Sequence, residues 1–330
     1  MKQSYYLYKS GRIQRKDNTL EIVYKDNTKK SIPIERVSDI YVMTEFDFNT
    51  SLLNLLGKYG ILVHFFNYYG FYTGTYYPKE QLVSGKLLVK QVESYTDDAK
   101  RLELAKAFIE AASYNIYRNL VYYSNRGKDL TSNMKEIEYL RRKIEFCKDV
   151  PELMGIEGNI RKIYYESWNT IINQNIEFEK RVKNPPDNAI NSLISYVNTI
   201  IYTRILGEIY KTQLNPTISY LHEPSERRFS LCLDVSEIFK PLIADRLIFS
   251  MLNKNQINEK DFEEGLNFLY IKENARKEIT KEMDKRLQTS IKHRKLGREV
   301  TYEYLMRLEL YKLIKYFMED LPYEGFKIWW

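Results

Sequence analysis

The chain has 330 residues, 44% hydrophobic and 29% charged, which supplies a sizeable core and argues against a disordered chain. Lysine and arginine exceed aspartate and glutamate to leave a formal net charge of +7, which favours a polyanionic partner, and no apolar run approaches the length of a bilayer. Cys147 and Cys232 stand apart with no disulfide framework, and the first residues lack the apolar segment of a signal peptide, so a reducing, cytoplasmic setting is expected.

From residue 1 to about 90 the sequence reads as strands. Tyr5–Tyr8, Leu20–Tyr24, Ile32–Ile34 and Ile40–Val42 alternate with turn chemistry at Ser10-Gly11, Lys16–Asn18 and Lys25–Asn27. Leu52–Tyr59 reads as a short helix. Ile61–Phe66, bounded by Gly60 and Asn67, reads as a buried strand in which His64 is structural.

Near Gly85 the period changes. Leu102, Ala105, Ile109, Ala112, Ile116 and Leu120 recur at helical steps behind a capping start at Thr96–Asp98, and Met134–Phe146 continues the pattern. A helix is expected over 158–180, beginning beside Gly155 and Gly158. The glycines suggest a close approach of backbone or ligand, and Glu157 would feel the favourable end of the dipole. After a break at Asn184–Asn188 a capped helix carries Asn188, Asn191, Ser195 and Asn198 on one polar line. The expected fold is α+β: a small N-terminal β-rich domain (1–90) followed by a larger all-α domain (91–330).

The stretch 221–246 gathers His222, the arginine pair Arg227 and Arg228, and Asp234 with Glu237 three residues apart, on one face of a helix that Pro241 kinks or restarts. By spacing alone, Glu157, His222 and this acidic pair are equally ordinary solvated side chains; if they converged, mixed oxygen and nitrogen ligation would suit Mg2+ or Mn2+. Asp245 and Arg246 read as a structural ion pair. Residues 281–298 are strongly basic, which is as often a solvated surface as a face for phosphate contacts. The aromatic tail from Tyr323 is expected to dock.

Residues 155–159 (GIEGN), 181–202 and 214–249, together with 2–22 and 63–78, resemble the CRISPR-associated integrase of spacer acquisition, the larger of its two core adaptation proteins. The resemblance covers essentially the whole chain, and the glutamate, histidine and DxxE segments occur in the family's order. It implies a metal-dependent DNA endonuclease and integrase of CRISPR adaptation in antiviral defense. A DNA 3′-hydroxyl would attack a phosphodiester at the repeat boundary, a transesterification, with Mg2+ or Mn2+ held by Glu157, His222 and Glu237. Many relatives carry aspartate where Glu237 stands. Asp234 and Asn191 would stand behind the ligands, and Arg227, Arg228, Lys292, Arg294 and Lys295 would contact DNA. Implied partners are double-stranded DNA (spacer precursor and repeat), a second copy of the chain bound through residues 1–90, and a small ferredoxin-like adaptation protein. Ligation needs a neutral His222, so activity is expected to fall in acid. Alternatives are a hydrolytic DNA-repair nuclease and a non-catalytic DNA-binding scaffold.

Overall fold

A computed structural model describes residues 2–176, 178–182, 185–224, 229–265 and 268–329. The chain divides into two compact units, the first made of Met1–Val83 with Ile271–Lys277 and the second of Ser84–Tyr270 with Glu278–Trp330. The change of unit falls a few residues before the expected 90, because Ser84 already caps a helix by accepting from the Leu87 N–H.

The first unit contains β1 (Gln3–Leu7), β2 (Gly11–Lys16), β3 (Thr19–Tyr24), β4 (Lys29–Pro33), β5 (Val37–Val42), β6 (Phe46–Asp47), α1 (Thr50–Tyr59), β7 (Leu62–Phe66) and β8 (Tyr72–Tyr76). They form two four-stranded sheets, ordered β1-β5-β7-β8 and β4-β3-β2-β6. β1, β5 and β7 run parallel, while the β2–β3–β4 meander is antiparallel. Ile13, Ile22, Ile34, Val37, Leu52 and Val63 lie in one core cluster. Gly11 is required where β2 meets β3: a Cβ there would stand 2.4 Å from the Val23 carbonyl oxygen. His64 is buried, with Nδ1 2.8 Å from Thr75 Oγ1.

The second unit is built from α2 (Gly85–Thr96), α3 (Asp98–Ser124), α4 (Thr131–Lys143), α5 (Val150–Glu166), α6 (Trp168–Ile171), α7 (Ala189–Tyr210), α8 (Ser230–Phe239) and α9 (Arg246–Asn253). The strands β9 (Phe262–Glu264) and β10 (Leu269–Ile271) form a short ribbon, and α10 (Glu273–Gln288) starts in the first unit and ends in the second. β11 (Ser290–Lys292) and β12 (Glu299–Thr301) make a hairpin before α11 (Tyr302–Glu319). α7 is buried nearly all round. Between α8 and α9 the helix widens into a π-type turn, Lys240–Asp245, at Pro241, so the proline loosens the helical path without ending it.

The tail docks as expected. Asn115 on α3 donates to the carbonyls of Ile238 and Phe326 and accepts from the Ile328 N–H, and the Tyr323 hydroxyl donates to Glu309 at 2.6 Å. Among the described residues no helix is long and apolar enough to cross a membrane. Both cysteines are free and buried.

Candidate active site

Glu157 sits in the middle of α5. The helix starts earlier than expected because Asp149 caps it, accepting from the Glu152 N–H at 2.8 Å, and Pro151 follows in the first turn; it ends at Glu166 rather than 180. Glu157 is therefore beyond the reach of the N-terminal dipole, which fades within one turn. A Cβ at Gly155 or Gly158 would meet nothing within 4 Å, so neither glycine makes room for another stretch of backbone.

α8 places Asp234 and Glu237 one turn apart, both buried. The Asp234 carboxylate accepts from the backbone N–H groups of Tyr220 (2.7 Å), Leu221 (3.0 Å) and His222 (3.0 Å), and from His222 Nδ1 at 2.8 Å. A carboxylate only accepts, so Nδ1 carries the proton and Nε2 keeps the lone pair that a ligand can use.

Glu157 and Glu237 meet on one guanidinium. Arg161 Nε donates to Glu157 at 3.1 Å, its Nη2 donates to Glu237, and Lys240 Nζ donates to the other Glu237 oxygen at 2.5 Å. Burial opposes the charge on Glu237, yet Lys240, Arg161 and His222 together hold its carboxyl well below the usual range. Both glutamates line a cavity of about 520 Å³ with Arg161, Arg181 and Lys240; His222 is outside its wall, one helical turn away on Asp234.

Two carboxylates and an imidazole nitrogen fit a hard divalent cation in donor chemistry. Among the described residues no group of three or more His, Cys, Asp and Glu side chains is gathered tightly enough to hold an ion. The positive charge between Glu157 and Glu237 is that of Arg161.

Several expectations need correction. Asn191 is fully buried. Its Nδ2 donates to Lys180 O (3.0 Å) and Asp187 (2.6 Å), and its Oδ1 accepts from Arg181 Nη1 at 3.0 Å and the Val182 N–H at 3.2 Å. The start of the polar line of α7 is thus covered by the preceding segment; Asn198 lines the cavity directly, and Asn191 and Ser195 bear on it through Arg181, whose Nη2 donates to Ser195 at 2.8 Å. The basic run divides: Lys281 and Lys285 pair with Glu278 and Glu282, and Arg286 turns inward onto the Leu242 carbonyl. Lys292, Arg294 and Lys295 stand exposed on the β11–β12 hairpin. Arg227 and Arg228 lie outside the described residues.

Asp245 and Arg246 do not pair. Arg246 Nε donates to Asn119 Oδ1 at 2.6 Å, whereas Asp245 accepts from the Tyr164 hydroxyl. Arg161, Lys240 and Arg181 complete the cavity and were not singled out from the sequence. Helical spacing held a signal for the first two, at i+4 from Glu157 and i+3 from Glu237; nothing local marked Arg181.

A family model described as CRISPR associated protein Cas1 matches residues 5–285. The chain is 59% identical over 330 residues to a CRISPR-associated endonuclease Cas1 of Fusobacterium nucleatum, covering 100% of this chain and 98% of that one. It is 46% identical over 333 residues to the Clostridium perfringens protein of the same name, covering 100% of both. Among solved structures, a CAS1 protein from Thermotoga maritima superposes with a TM-score of 0.87 at 37% identity, over 98% of this chain and all of that one. A casposase bound to integration product shares the fold, with a TM-score of 0.87 at 21% identity, over 100% and 96% of the two chains.

Proposed function

Because the chain belongs to the CRISPR-associated Cas1 family, we propose that it is a DNA endonuclease and integrase that inserts new spacer DNA into the repeat array. The observation that carries this reading is the convergence of Glu157 and Glu237 on one cavity, with His222 fixed by Asp234 one helical turn from Glu237.

In the joining reaction a DNA 3′-hydroxyl attacks a phosphodiester. A new phosphorus–oxygen bond forms, the bond to the former 3′-oxygen breaks, and the released strand leaves as a 3′-hydroxyl. Such a step needs charge stabilisation and positioning more than a strong base. Glu157, Glu237 and His222 Nε2 would hold Mg2+ or Mn2+, which when bound supplies Lewis-acid charge to the phosphoryl and leaving oxygens. Asp234 keeps His222 in the tautomer that presents Nε2. Arg161 bridges the two carboxylates, and Arg161, Arg181 and Lys240 offer charge-assisted donors to non-bridging phosphate oxygens. Lys292, Arg294 and Lys295 add a solvent-facing contact for the DNA backbone. The same reading includes a homodimer formed through the β-rich unit and a small ferredoxin-like adaptation partner.

A labelled DNA donor with a free 3′-hydroxyl, incubated with a repeat duplex and Mg2+ or Mn2+, tests it. Joined product is expected, lost on chelation and reduced about a hundredfold or more in Glu157→Ala, His222→Ala and Glu237→Ala. Cut product without joined product would make the chain a hydrolytic nuclease. Normal metal-dependent joining by His222→Ala would remove the histidine from the site.

A further inference from the structure

The helical unit holds a second cavity, of about 470 Å³, between the end of α3, α9 and α10, and it shares no wall residue with the candidate active site. Arg126, Lys128, Arg246, Lys254 and Arg286 line it, and no aspartate or glutamate does. Among the described residues none of these five forms an ion pair. Lys128 Nζ donates to Asn173 Oδ1 at 2.8 Å, Arg246 to Asn119, and Arg286 Nε and Nη2 to the Leu242 carbonyl at 3.2 and 2.9 Å. The Arg126 guanidinium lies 3.7 Å from the centre of the Tyr122 ring. All of these partners are neutral, whereas several other cations of the unit are matched by carboxylates, as in Lys90–Glu93, Lys281–Glu278 and Lys327–Glu110.

Gathering unmatched cations at a partly enclosed surface costs self-repulsion that a bound anion removes. At Arg286 burial lowers the guanidinium to about 10 against Tyr302, and Arg246 adds a smaller repulsion in the same direction. Planar guanidinium forks combined with ammonium point charges suit the tetrahedral oxygens of a phosphate. Ser250 and Asn253 in the same wall add neutral donors.

We propose that this cavity is a phosphate-binding site separate from the candidate active site. Its occupant is a phosphate group carried either by a DNA strand or by a free phosphate compound. The assignment is independent of the metal and of the ligand set discussed above.

Radiolabelled pyrophosphate titrated into the full chain at fixed ionic strength, with divalent metal removed, reads the site directly. Saturable binding of one equivalent is expected. Lys128→Glu, at a half-buried position, with Lys254→Glu, at an exposed one, should weaken it about tenfold or more, while Lys29→Glu with Lys30→Glu, which alters net charge equally, should leave it within about twofold. The neutral pair Lys128→Met with Lys254→Met should weaken it as well and guards against a fold broken by charge reversal. Non-saturable uptake, or equal losses in the cavity and control variants, would overturn the proposal. Competition by a 5′-phosphorylated single strand would assign the site to strand phosphate; binding of pyrophosphate without such competition would assign it to a free phosphate compound.

Discussion

Asp245 is a carboxyl held away from water with too little compensation. Burial pushes it from its ordinary 3.8 to about 7, against Arg161, the Tyr164 hydroxyl and Lys240. Between those two values the folded chain keeps a proton that the unfolded chain has released, so stability falls as pH rises through the window. Asp245→Asn has no proton to lose there. The Tm of the Asn variant relative to the natural chain should therefore climb between pH 5 and pH 8, by an amount on the order of a few kcal/mol once converted. A difference that stays flat across that range would contradict the assignment. Glu237 is the opposite case, kept ionised by Lys240, Arg161 and His222 against burial, and its contribution is full at neutral pH and lost progressively as the pH falls below its ordinary 4.5.

Among the elements, α5 gives the clearest test. Gly155 and Gly158 are helical and face open space, so alanine at either position should stabilise the helix by about 0.5–1 kcal/mol, a rise in Tm of about 1–3 °C. Their effects on activity should differ. Gly158 lines the cavity beside Glu157 and Gly155 does not, so Gly158→Ala should slow strand joining while Gly155→Ala leaves it near normal. Melting curves and the joining assay on both variants decide it; equal activity would show that the cavity wall at Gly158 is not used.

Elements with local signals were legible in the sequence. α3 announced itself through the Asp97 cap and a sustained apolar period, and β7 through its bounded apolar run. The start of α5 was missed because two glycines outweighed the quieter Asp149–Pro151 signal. The stretch after α6 was misread as helix because distant contacts hold it, Gln174 donating to the carbonyls of Leu252 and Ile257. At the site, the residues with ligand chemistry were visible; that one guanidinium joins Glu157 to Glu237 was not, because its second bond crosses from α5 to a residue 76 positions away on α8.

At the scale of the molecule, the proposed association with DNA is expected to weaken with salt in proportion to the phosphates that lysine and arginine neutralise. If Lys292, Arg294 and Lys295 each neutralise one phosphate, reversing all three should lower the slope of log K against log salt by about 2.7 for duplex DNA. Fluorescence anisotropy over a salt series measures it, and an unchanged slope would take the hairpin out of the interface. A separate consequence follows from α10, whose first turns belong to the β-rich unit although the chain has already passed through most of the helical one. A recombination event at the junction of Val83 and Ser84 would transplant that unit while leaving Ile271–Lys277 behind in the recipient gene. The two halves are thus expected to be inherited together, and domain-shuffled hybrids should survive only when the donor also supplies the matching segment far downstream.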